Sequence, residues 1–299
     1  MFTILLVNAL FSAVFPMGKI AMTFCSPFLL IGFRMIVAGS ILGIYALYKK
    51  NNLIQFFKKY SDSIFLLALF NVYLANAFEF WGLQFMSSAK TCFIYNLAPF
   101  FSAFLAYIFF KEKVTIKKLV GLLISFIGFI PILMSSAPEE QHLAHMYFLS
   151  TAELAVILAT FAGVCGWLTM QHGVRHKDFN TLNANSISML IGGLFSIGHS
   201  ACIENWYISK ESLPGLAGWV IILALITIAC YVLYTHLLKK FSTTFLTFTG
   251  LTGPFFAALY DWLIFGSIIT WHFYCATFLV FLGLYVFYKD EFSIKNIIQ

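Results

Sequence analysis

Residues Ser87–Leu133 read SSAKTCFIYNLAPFFSAFLAYIFFKEKVTIKKLVGLLISFIGFIPIL, and this stretch decides the fold. The run 89–110 is apolar for long enough to cross a hydrocarbon core as a helix, because about 20 residues at 1.5 Å rise each span roughly 30 Å. Pro99 sits near its middle. A proline there removes an amide donor and frees the carbonyl one turn back, that of Tyr95, which a membrane interior tolerates only where a neighbour or cavity water satisfies it. Lys111-Glu112-Lys113 then ends the helix at a wet surface, and a second apolar run, 116–134, crosses back.

The stretch returns later in the chain. Shifted by 155 positions, PFFSAFLAYIFFKEKVT from Pro99 lies over PFFAALYDWLIFGSIIT from Pro254 without a gap, with Pro99/Pro254, Phe100/Phe255, Phe101/Phe256, Ala103/Ala258, Phe110/Phe265 and Thr115/Thr270 identical. Gly18/Gly173, Leu83/Leu238, Ser87/Ser242 and Gly128/Gly283 coincide at the same offset. The proline and glycine coincidences are not explained by hydrophobicity, so the chain reads as a duplication.

Working outward, 61% hydrophobic and 10% charged residues, with a mean hydropathy of +0.89, put the chain far from soluble proteins, where about a quarter of residues are charged. It reads as an all-α integral membrane protein. The net charge of +6 is spread in short clusters between apolar runs and forms no stripe, which argues for membrane orientation and against nucleic acid. The six cysteines lie in or beside apolar runs without CxxC or CxxxxH spacing, so they read as small buried hydrophobes, with no metal site or disulfide framework. No basic residue precedes the first apolar run, and that run has a counterpart in the second repeat, so it reads as a helix and not as a signal peptide.

Hydropathy predicts ten transmembrane helices, near 2–22, 27–48, 62–83, 89–110, 116–134, 148–170, 182–203, 214–237, 243–265 and 268–288. They divide into a first five-helix repeat, 1–137, and a second, 146–299. An odd number of helices per repeat forces the second to enter the membrane from the opposite side, which makes the repeats inverted. With a cytoplasmic N-terminus, the cytoplasmic side receives Lys49, Lys50, Lys58, Lys59, Lys111, Lys113, Lys117, Lys118, Arg175, Lys177, Lys239, Lys240, Lys289 and Lys295, and the other side Lys19, Lys90 and Lys210. That asymmetry supports the count and places both termini in the cytoplasm. Gly121, Ser125 and Gly128 recur at one-turn spacing on the fifth helix and assign it to packing or self-association, leaving a homodimer open.

These residues resemble the drug/metabolite transporter superfamily, specifically its EamA-type ten-helix members. The resemblance spans nearly the whole chain: FPMGKIA ending helix one with Lys19, SPFLLIGFRMIVAG with Pro27 and Arg34, LAPFFSAFLAYIFFKEKVT with Pro99 and Glu112, and KLVGLLISFIGFI with Gly121 and Gly128. The fourth-to-fifth segment is the most specific. The second half departs from the pattern, with Gly266-Ser267 where such transporters often carry a glutamate and Met189 opposite Arg34, so the halves have specialised. The resemblance implies a bundle around a central cavity, fifth helices to the outside, moving small organic solutes by alternating access. It also suggests a bacterial inner membrane.

Charged groups inside the spans carry the information about function, since each costs a few kcal/mol at a helix centre and rarely faces lipid. Arg34 either contacts an anionic substrate group or pairs with Glu79 or Glu153. Glu79, sharing a face with Asn76, either binds a cationic amine, exchanges a proton, pairs with Arg34, or snorkels to the outer surface. Glu153 is a second candidate for proton coupling, or meets the interface at the start of helix six. Asp261 lies one to two turns from the outer end of helix nine. His236, near Tyr231 and Tyr234, is a candidate for the cytoplasmic mouth. At 19% the aromatics are too common to be specific, but Tyr95, Trp167 and Tyr234 fall on helices that the resemblance turns toward the cavity, where they would stack on a flat ring or hold a cation. Pro99 and Pro254 are candidate helix breaks for gating.

The expected function is a secondary carrier in the lipid bilayer for a small-molecule substrate, an amino acid or related nitrogen compound such as S-adenosylmethionine, working by exchange or proton coupling without a cofactor. A nucleotide-sugar or nucleoside carrier is the alternative within the superfamily. No GxxxxGK[ST], HExxH or GxSxG occurs, which argues against an ATP motor or an intramembrane enzyme. His142 and His145 near Glu139 and Glu140 in the outer linker need no metal to explain them. A scaffold would need neither the duplicated breaks nor the buried charges.

Overall fold

The computed structural model describes residues 2–111, 145–146, 149–175, 179–206 and 212–266, together with 116, 120, 123–124, 127, 274, 278–279 and 282–283. The fifth and tenth expected helices, Glu112 and most of the inter-repeat linker fall largely or wholly outside them.

Helix α1 (Phe2–Ala21) leads to α2 (Pro27–Tyr48), a short α3 (Leu53–Lys59) and α4 (Ser61–Leu66). A π-helical segment, Leu67–Leu74, continues α4 into α5 (Ala75–Leu83). Next come α6 (Ser88–Ile94), a 3-10 turn (Tyr95–Leu97) and α7 (Ala98–Phe110). A two-residue-per-strand hairpin pairs His145 with Ser150 and Met146 with Leu149. The second half holds α8 (Thr151–Val174), α9 (Thr181–Ile203), α10 (Leu213–Leu238), α11 (Thr243–Thr249), a 3-10 turn (Gly250–Thr252) and α12 (Gly253–Phe265). With Ser61–Leu83 and Ser88–Phe109 each taken as one continuous span, seven helical segments among the described residues are long and apolar enough to cross a membrane.

Helix ends recur at the separation of 155 found in the sequence. Tyr48, Leu83 and Phe110 end helices in the first half as Ile203, Leu238 and Phe265 do in the second. The caps recur too. Ser87 accepts from the amide of Lys90 and Ser242 from that of Phe245, and Lys111 and Gly266 both close their helices in the left-handed region, at φ 54° and 64°. Two expected elements change. Helix six starts at Thr151 and not near 148, because Ser150 and Glu153 form a reciprocal capping box that fixes the first turn. Helix three widens into the π segment, which no proline or glycine in its sequence announces.

The halves interlock. Helix α1 packs on α10 and α12, while α8 packs on the Ser61–Leu83 helix and α7. Ala89 at the start of α6 meets Asp261 near the end of α12, and Ser102 on α7 meets Thr244 at the start of α11, so these two equivalent helices run antiparallel. The most extensive pairing is α2 against α9, where glycines let the helices approach: a Cβ at Gly32 would lie 2.4 Å from Ile197 Cγ1. Large apolar side chains such as Ile44, Phe104, Phe109 and Leu194 are exposed on outward faces, as a bilayer-embedded surface requires.

Candidate functional site

Both proline breaks meet at a cavity between the halves. Pro99 has no amide to offer the Tyr95 carbonyl, and the chain answers by tightening one turn, so that the amide of Ala98 reaches that carbonyl in 3-10 geometry. The freed carbonyl therefore finds its partner within the helix and needs no water. At Pro254 the amide of Gly253 serves the Gly250 carbonyl in the same way. Helix α1 stitches itself to this second break: Asn8 donates to the Thr249 carbonyl at 2.7 Å and Ser12 to the Gly253 carbonyl at 2.9 Å.

The cavity encloses about 170 Å³. On one wall Tyr95 donates its hydroxyl to Glu79 Oε2 at 2.5 Å. Arg34, 1% exposed, donates to Asn76 Oδ1 at 2.5 Å and lies over the Phe80 ring at 4.7 Å. Asn76 is held in turn by its amide, which donates to the Val72 carbonyl at 2.8 Å. The π segment exposes the Asn71 carbonyl, and the Tyr231 hydroxyl takes it at 3.1 Å. Helix α8 crosses this segment at Gly166, where a Cβ would sit 2.3 Å from Asn71 Cβ.

A second part of the lining is aromatic, joined to the first through Tyr231. Trp167 and Tyr234 have ring centroids 4.1 Å apart, tilted by 37°, and Trp167 and Tyr231 5.0 Å apart. Phe11 closes the group edge-on, 6.3 Å from Trp167 and 5.9 Å from Tyr234.

The structure thus brings Arg34, Glu79, Tyr95, Trp167 and Tyr234 to one cavity. Pro99 and Pro254 are buried just behind its lining. Glu153 and His236 lie elsewhere. Glu153 is fully engaged in the capping box and in an ion pair with Lys90 at 2.9 Å, both side chains 4% exposed. His236 is exposed on α10; two residues beyond Tyr234, it points about 200° around the helix from it. Among the described residues, Arg34 forms no ion pair with Glu79 or Glu153. Asp261 accepts from the Ala89 amide at 3.1 Å and so caps α6. Among the lining residues that the sequence did not single out are Phe11, Ser12, Asn71 and Asn96. Polarity within an apolar run was the available signal for the last three; Phe11 had none.

Membrane-length helices closed around a polar and aromatic cavity define a multi-pass membrane carrier. Residues 1–134 and 150–289 match the EamA-like transporter family, and the chain belongs to it. It is 33% identical over 296 residues to a protein of Chlamydia muridarum named S-adenosylmethionine/S-adenosylhomocysteine transporter, covering 97% of this chain and 92% of that one. A protein of the same name from Chlamydia trachomatis serovar L2 is 34% identical, with 97% and 89% covered. One solved crystal structure superposes over 96% of both chains with a TM-score of 0.73 at 15% identity, a likeness of fold. The chain is a transporter of the membrane.

Proposed function

We propose that this transporter exchanges S-adenosylmethionine for S-adenosylhomocysteine, the two compounds in the names of the Chlamydia relatives. The observation that carries the reading is the joining of one guanidinium, one carboxylate and a four-ring aromatic group in a single cavity. Both ligands combine an amino-acid zwitterion with adenosine. The sulfonium of the first is in addition a cation of the kind that aromatic faces attract. Arg34 is the sole basic residue among the described lining, which suits one carboxylate and disfavours the diphosphate of a nucleotide sugar.

The protein is read as ten helices in two inverted repeats, 1–137 and 146–299, lying in a bacterial inner membrane with both termini cytoplasmic. The antiparallel meeting of α6–α7 with α11–α12 and the Lys/Arg asymmetry support this topology. Substrate contact is assigned to Arg34, Glu79, Tyr95, Trp167 and Tyr234, with Pro99 and Pro254 as the bending points of alternating access. Any proton coupling falls to Glu79, because Glu153 is committed to its cap and to Lys90.

Purified protein in liposomes tests the exchange. Labelled S-adenosylmethionine is expected to enter saturably, and faster when S-adenosylhomocysteine is preloaded inside. Entry that preloading leaves unchanged would refute exchange, and no entry at all would refute the cargo.

A further inference from the structure

The cavity's polarity is divided unevenly between the two halves. Its first-half lining includes Arg34, Asn71, Asn76, Glu79 and Asn96. Shifted by the 155-residue register, these positions become Met189, Ile226, Tyr231, Tyr234 and Leu251, of which Tyr231 and Tyr234 line the same cavity. At these positions one half offers charge and amides, and its twin offers to the cavity only the two tyrosines, Met189, Ile226 and Leu251 lying outside the lining. Arg34 Nε, Asn71 Nδ2 and Asn96 Nδ2 are buried donors with no acceptor among the described residues. Such donors destabilise a protein until something accepts from them, and a buried guanidinium without a contacting carboxylate does so most of all.

We infer that the ligand lies in the cavity in one orientation, its amino-acid zwitterion against the polar residues around Arg34 and Glu79 and its flat heterocycle against the rings of Trp167 and Tyr234. Arg34 takes the carboxylate, for which a planar guanidinium is the matching donor. Glu79 takes the ammonium, beside the Tyr95 hydroxyl that fixes its other oxygen. The heterocycle stacks on the Trp167–Tyr234 pair. This orientation rests on the S-adenosyl reading and applies equally to both exchanged compounds, since they share these two ends.

Two fragments separate the walls. L-methionine carries only the amino-acid end and 5′-methylthioadenosine only the ring end, and each is set to compete with labelled S-adenosylhomocysteine for purified protein. Tyr234→Leu is expected to weaken methylthioadenosine about tenfold, the size of one lost stacking contact, and to leave methionine unchanged. Arg34→Met is expected to weaken methionine at least as much and to leave methylthioadenosine unchanged. A second readout needs no truncated side chain: the Trp167 fluorescence, taken as the difference between wild type and Trp167→Phe, is expected to be quenched by methylthioadenosine and not by methionine. Equal losses of both fragments in either variant, the reverse pattern, or quenching by methionine would overturn the orientation while leaving the cargo in place. Wild-type protein that binds no S-adenosylhomocysteine would overturn the cargo, and the orientation with it.

Discussion

Arg34 shows what the site asks of a single residue. It is nearly fully buried, holds Asn76, stacks on Phe80 and contacts no carboxylate among the described residues. A charge so placed is a cost to folding, which the proposed contact with the ligand's carboxylate would offset. Met189, which occupies the equivalent position in the second half, is fully buried without any such demand. Arg34→Met is therefore expected to melt at or above the wild-type temperature in ligand-free detergent solution, while affinity for S-adenosylmethionine falls more than tenfold. A large drop in melting temperature would show that Arg34 is structural. The sequence singled out Arg34 and Glu79 because ionisable groups inside a span are rare. It left their partners open, since an ion pair between them and separate contacts look the same in one dimension. Phe11 was illegible for the opposite reason: among 36 phenylalanines, nothing marks the one that closes the aromatic wall.

Among the elements, the helix breaks were legible and the π segment was not. Proline announces its own missing amide, and the repeat at a separation of 155 fixed the second break from the first. The widening at Leu67–Leu74 instead depends on a partner far away in sequence, the close crossing of α8 at Gly166. It is this crossing that seats Asn71, whose carbonyl anchors the Tyr231 hydroxyl. Gly166→Ala is expected to cost about 1–3 kcal/mol, because the new methyl group must displace the Asn71 side chain and backbone, and to weaken ligand binding with it. Gly218→Ala on α10, where a Cβ would meet nothing within 4 Å, is the control and is expected to be neutral. Denaturant unfolding of both variants in the same detergent gives the comparison; equal stability would remove the argument from the crossing.

For the whole molecule, duplication gave the frame and divergence gave the function. The halves match in helix ends, caps and breaks, yet what they bring to the cavity differs: Arg34 lines it while its counterpart Met189 does not, and Glu79 faces it from one half as Tyr234 does from the other. The matches were readable because helix geometry repeats in register. The differences acquired meaning only once the fold brought both faces to one space. The proposed exchange has an electrical consequence. S-adenosylmethionine carries a net charge of about +1 at neutral pH and S-adenosylhomocysteine about 0, since the sulfonium is lost with the methyl group, so one-for-one exchange moves one charge. A potential of 100 mV, negative inside, is worth about 2.3 kcal/mol per charge and is expected to raise the accumulation ratio about 50-fold in liposomes clamped with a potassium ionophore. Exchange indifferent to potential would mean a compensating proton, with Glu79 as its carrier.

The most direct test of the central claim, that the cavity between the halves is the transport path, is counterflow by Glu79→Gln protein reconstituted at wild-type density into liposomes preloaded with S-adenosylhomocysteine. Glu79→Gln keeps the shape and the acceptor for Tyr95 but removes the charge proposed to meet the ligand's ammonium. The account predicts that labelled S-adenosylmethionine uptake falls at least tenfold while the melting temperature stays within a few degrees of wild type. Counterflow within twofold of wild type would contradict it and place the path elsewhere in the molecule.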